Sequence, residues 1–172
     1  MRKIIFALSF LVAFMFVVVV AAAPANFAGT WVLDKTKTQN LPRQWENAPS
    51  VTLEIKQDAK QIVLETKVEG SQFPSQPATY NLDGTESTMD VQGRMPGKAT
   101  LKATWSADGN TLELSRKQAG TFTNNEGTSQ SYSITNTDKL TLSEGGKVLT
   151  DVRHSESPRG PQDSTLVYNK KS

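Results

Sequence analysis

The chain contains no cysteine and a single histidine, His154. Without cysteine there is no disulfide framework, no thiolate nucleophile and no cysteine to carry a lipid anchor. One imidazole falls short of a zinc centre, which draws on several nitrogen or sulfur ligands. A Ser-His-Asp triad would have to be built on His154, and no Gly-x-Ser-x-Gly elbow is present to serve it. Also missing are an Asp-x-Asp-x-Asp-Gly calcium loop, a P-loop and a dinucleotide-binding glycine pattern. A paired-carboxylate hydrolase stays open, because only the fold brings such pairs together. The expectation is a non-enzyme with no cofactor and no metal.

Charge of one sign is missing as well. The 172-residue chain has 19 Lys and Arg against 17 Asp and Glu, but Arg2 and Lys3 precede an almost wholly apolar run over residues 4–20. Small residues at 21–25 then supply a cleavage site after Ala25, so residues 1–25 read as a signal peptide. An uncleaved anchor is the alternative, since about 20 apolar residues just span a bilayer; the small-residue end and the lack of a basic stop-transfer cluster favour cleavage. Residues 26–172 are then formally neutral, with charges interspersed, which excludes the electrostatic footprint of a nucleic-acid or anionic-membrane partner. This segment reads as one domain resting on its own core, a monomer located in the periplasm or outside the cell.

What remains is period-two alternation. Val51, Leu53 and Ile55 alternate with Thr52, Glu54 and Lys56, and Leu101, Ala103 and Trp105 with Thr100, Lys102 and Thr104; the same rhythm runs through Ile62, Leu64 and Val68, through Leu112 and Leu114, and on to Leu166 and Tyr168. Turn signals separate these runs: QDAKQ at 57–61, LDGTE at 82–86, SADGN at 106–110 and SEGGK at 143–147. Asp-Gly and Gly-Gly pairs provide the positive φ of tight hairpins. The pattern predicts an all-β, single antiparallel up-and-down barrel of about 8–10 strands. Residues 35–50, with Pro42 and Pro49, are too long for a hairpin and predict a loop or short helical turn across one end. Pro/Gly loops are expected at 70–78 and 93–98.

Gly29-Thr30-Trp31 heads this meander, with Trp31 placed to close the barrel floor. It resembles the G-x-W signature of the lipocalin superfamily. The stretches NFAGTWVLDKTKTQNLP, LTLSEGGKVLTDVRHSESPRG and TLVYNK are similar to the small secreted lipocalin-like (calycin-type) barrels of bacteria. The resemblance implies an interior able to hold one small, mostly apolar ligand and a basic residue of the last strand packed on the tryptophan, for which Lys170, or else Lys171, is the match. The Arg-x-Tyr carboxylate clamp of fatty-acid-binding members does not carry over, because Leu166 stands two positions before Tyr168.

Strand phase marks the candidate site residues. Arg116 follows Leu112 and Leu114, His154 follows Val148 and Val152, and Tyr132 shares a face with Ile134. Arg116, His154, Tyr132 and Tyr168 are the convergent polar groups expected to hold a carboxylate or carbonyl head in an apolar cavity. Trp45 reads as either a lid over the mouth or a packing residue. Asp151 and Arg153 are expected to form a solvated surface pair. The functional expectation is an exported protein binding a small apolar or amphipathic molecule. The alternative is a structural or interaction module of the envelope, its barrel filled by large inward residues such as Trp31, Trp105, Leu112 and Tyr168.

Overall fold

The computed structural model describes residues 23–171 except 73, 94 and 124–126. The leader assigned to residues 1–25 therefore lies outside the described residues, save its last three. Among the described residues no helix is long and apolar enough to cross a membrane.

The chain forms β1 (Gly29–Leu33), α1 (Arg43–Glu46), β2 (Val51–Gln57), β3 (Gln61–Val68), β4 (Ala78–Asn81), β5 (Ser87–Val91), β6 (Gly97–Trp105), β7 (Thr111–Thr123), β8 (Ser129–Ser143), β9 (Val148–Ser157) and β10 (Gly160–Lys170). All pairings are antiparallel, in the order β4-β3-β2-β1-β10-β9-β8-β7-β6-β5. The meander closes by pairing β1 with β10, setting Trp31 opposite Lys170 and Leu33 opposite Tyr168. It stays open at one seam. The LDGTE turn joins β4 to β5, yet these strands are the two ends of the sheet; the Ser87 hydroxyl, donating to the Thr79 carbonyl at 2.6 Å, bridges them.

Because the strands run up and down, alternate connections lie at alternate ends. The four tight turns 57–61, 82–86, 106–110 and 143–147 all fall at one end, the floor. Asp58, Asp83 and Asp108 recur there at one-hairpin spacing, and each carboxylate accepts the backbone N–H two residues on, at 2.7–3.1 Å. That local bond is why aspartate suits these turns.

The floor answers the question raised by Gly-Thr-Trp. Trp31 and Phe27 are fully buried, the indole N–H donates to the Phe27 carbonyl at 2.9 Å, and Phe27 stacks on Trp105 with centroids 6.0 Å apart. The Lys170 ammonium lies 5.1 Å from the centre of the Trp31 ring, the arrangement the resemblance implied. Gly29, at φ 147°, makes room for it: a Cβ there would stand 2.8 Å from the Lys170 stem. Burial of Trp31 contributes roughly 2–3 kcal/mol.

The other end is the mouth. Residues 34–41 run beside β10, with Gln39 and Thr165 exchanging backbone hydrogen bonds at 2.9 and 3.1 Å and the Ser164 hydroxyl donating to the Asn40 carbonyl. The strap then turns into α1, which the Lys35 ammonium ties down through the Glu46 and Ala48 carbonyls at 3.0 and 2.6 Å. The sequence-predicted loop or helical turn across one end is this segment. Its helix lasts only four residues, in keeping with the prolines on either side.

Candidate functional site

Inward positions on neighbouring strands fall in rows set by the register. One row reads Leu166 on β10, Asp151 on β9, Leu140 on β8 and Leu112 on β7. The next, one step toward the mouth, reads Ser164, Arg153, Asp138 and Leu114; beyond it, Asn136 on β8 faces Arg116 on β7. Charged side chains therefore enter the barrel on three adjacent strands, just above the leucines of the floor.

Arg153 and Asp138 are direct cross-strand partners, close enough for side chains on one face to meet. The Arg153 Nε donates to Asp138 Oδ1, and its terminal nitrogen donates to Asp151 Oδ2 at 3.2 Å. The guanidinium also lies 5.7 Å from the ring centre of Trp45, the buried residue of α1. Asp151 is only 2% exposed. Burial first, and then the Asp138 charge, push its carboxyl up to about 8, against the pull of Arg153. Burial works against the charge of Arg153, but the two carboxylates outweigh it and its pKa is raised. Tyr80 and Tyr168, both buried, have their phenols raised chiefly by burial and stay protonated.

These groups line one wall of a cavity of about 440 Å³. Leu53, Leu64, Val68 and Ala78 line it from β2 to β4 together with the polar Thr66, Ser75 and Gln76, and Trp45 lines it from α1. Two buried atoms there have no hydrogen-bond partner among the described residues: Arg116 Nε and Asp151 Oδ1. Arg116 is otherwise held by one bond from its terminal nitrogen to Gln118 Oε1, at 3.0 Å.

Of the sequence-predicted site residues, Arg116, Tyr168 and Trp45 line this cavity. Tyr132 is buried but lies elsewhere. Its hydroxyl accepts from Gln118 Nε2 at 2.7 Å and donates to the carbonyls of the 92–96 loop, Met95 at 2.7 Å and Pro96 at 3.0 Å. It pins that loop where the backbones of Gly97 and Gly120 come so close that a Cβ on either would stand 2.2 Å from a carbonyl oxygen.

His154 corrects the sequence expectation. Its side chain is 47% exposed on the outer face, with Nδ1 2.6 Å from Asp163 and Nε2 3.6 Å from Glu156. Val152, used to set its phase, is 49% exposed. The Asp151 and Arg153 pair is corrected in the same stroke: it points inward, not to solvent. The signal that finds it is Leu149, fully buried and in phase with both, together with Asp138 in phase with Leu140 on the facing strand.

No protein-family model matches the chain, and no curated protein matches it in sequence. Solved structures do match in fold. A REP1-NXSQ fatty acid transporter superposes with a TM-score of 0.55 at 12% identity, covering 85% of this chain and 96% of that one. A zebrafish ileal bile-acid-binding protein complexed with cholic acid gives 0.54 at 13%, covering 84% and 98%. A single-site mutant of the fluorescent protein UnaG gives 0.54 at 16%, covering 85% and 96%. At such identities the likeness is one of fold, and the expected all-β, antiparallel up-and-down barrel is the fold observed.

Proposed function

We propose that the protein binds one small apolar or amphipathic molecule inside the barrel, outside the cytoplasm, as a carrier or receptor and not as an enzyme. The cavity of about 440 Å³ carries this reading: it lies within the roughly 300–1,000 Å³ of small-molecule sites and sets apolar side chains of β2 to β4 against the polar groups of β7 to β9. The fatty acid and bile acid named for two of the fold neighbours support the same ligand class. The pattern of residues 1–25 supports export.

The rival, a filled barrel serving as an envelope module, draws on the floor alone, where Trp31, Leu112 and Leu140 are fully buried. A catalytic reading would rest on Asp138 and Asp151, the kind of carboxylate pair the sequence left open. Both are tied to Arg153, an arrangement that favours recognition over proton transfer to a substrate. Titration with Nile red, a neutral apolar fluorophore, tests the reading, together with native mass spectrometry of the protein purified from its own cells. Saturable emission at one dye per chain, or a retained small molecule, is expected; neither dye binding nor added mass would move the assignment to the envelope module.

A further inference from the structure

Arg153 cannot serve as a free clamp. Its Nε and a terminal nitrogen are bound to Asp138 and Asp151, and its face rests against Trp45. The half-exposed Lys67 at the cavity edge is held by Glu54 at 2.7 Å. A carboxylate entering this wall could accept from Arg116 but has no hydrogen to give Asp151, and an ammonium has no acceptor for Arg116 and would meet two guanidinium groups. Either head leaves a buried polar atom of the wall unpaired, which is costly.

What the wall lacks is hydrogen bonding of both kinds. Asp151, all but fully buried, lines the cavity and leaves Oδ1 without a partner among the described residues, and Arg116 does the same with Nε. One atom is served by a donor and the other by an acceptor. We propose that the ligand carries an uncharged polar head with both an N–H or O–H donor and a carbonyl acceptor, a carboxamide being the simplest, with Asp151 receiving the donor and Arg116 the acceptor. The alkyl or ring portion then lies along Leu53, Leu64 and Val68. This inference rests on the barrel-binding reading and deepens it.

The test is displacement of Nile red from the purified protein by decanamide, decanoate and decylamine, which share a chain and differ in the head. Decanamide is expected to displace the dye at about tenfold lower concentration than either charged analogue, the modest end of what an unpaired buried hydrogen-bonding group costs. In Asp151→Asn, which keeps the shape and offers an amide N–H in place of a carboxyl oxygen, decanoate should come within about threefold of decanamide, since specificity is a difference of affinities. Decanoate or decylamine equal to decanamide in the unaltered protein would overturn the inference. So would dye binding that none of the three displaces, and both results would leave the barrel-binding reading standing. Failure of Nile red itself to bind would instead bring down the reading on which the inference rests.

Discussion

The two ends of the barrel obey one alternation and reach opposite results. At the floor, inward positions are Trp31, Leu112, Leu140, Leu149 and Leu166, all at or near zero exposure, and the connections are tight aspartate or glycine turns. Two to four residues further along the same strands, inward positions become Asp151, Arg153, Asp138 and Arg116, the connections over 34–50 and 69–77 are long, and a cavity opens. Apolar side chains gain by filling volume and need no specific partner. Charged ones must keep hydrogen bonds and a counter-charge, so they line the volume without filling it. The floor holds the barrel together, and the polar belt above it costs stability to shape a site.

Removing the anchor of each region breaks the comparison most sharply. Trp31→Ala should cost roughly 3–5 kcal/mol through the void it leaves, with little change between pH 4 and 8. Arg153→Met should also cost about 3–5 kcal/mol at pH 9, because it leaves the buried Asp151 and the partly buried Asp138 without their cation, but this loss should shrink below about pH 8, where Asp151 holds its proton. Urea unfolding at several pH values reads both. A pH-independent loss for Arg153→Met would show that its stem, not its charge, matters; a loss under about 1 kcal/mol for Trp31→Ala would remove its role in closing the floor.

Asp151→Asn acts on the belt alone and has a smaller effect, visible as a slope. The native carboxyl is pushed up to about 8 from an ordinary 3.8, by burial first and by Asp138 second. Between those values the unfolded chain has released this proton and the native chain still holds it, so stability falls as pH rises. The contribution is complete below pH 3.8 and gone once pH passes about 8. Relative to the unaltered protein, Asp151→Asn should therefore gain stability from pH 4 to pH 8. Parallel stability curves over that window would mean that Arg153 keeps Asp151 ionised.

Legibility in the sequence followed the same division. The strand rhythm, the hairpin turns, Trp31 with Lys170 and the strap over residues 35–50 could all be read, because hydrophobic periodicity and turn chemistry are local signals. The belt was half read. Arg116, Tyr168 and Trp45 were found, whereas Asp151 and Arg153 were placed outside and His154 inside. On β9 the binary pattern is inverted: an exposed Val152 lies between an inward aspartate and an inward arginine. A rule that sends apolar residues inward fails where the interior is polar, which is where function puts strain on the pattern. The seam between β4 and β5 was equally hidden, since a turn sequence reports chain reversal and not strand pairing.

His154 gives the smallest expected effect and the cleanest control, because it lies on β9 between the inward Arg153 and the outer-face Glu156. The hydrogen bond to Asp163 is the first cause raising its pKa above 6.5, and Glu156 adds to it. Its stabilising contribution is therefore present below pH 6.5 and fades as pH climbs through the raised value. Solvent screens a pair this exposed, so His154→Ala should weaken unfolding resistance only slightly at pH 5 and not at all at pH 9. Ligand displacement curves should overlay those of the unaltered protein at both values. A change in ligand preference on altering His154 would mean that the outer face of β9 communicates with the cavity. An unchanged preference, beside a changed one in Asp151→Asn, confines recognition to the inner face of the same strand.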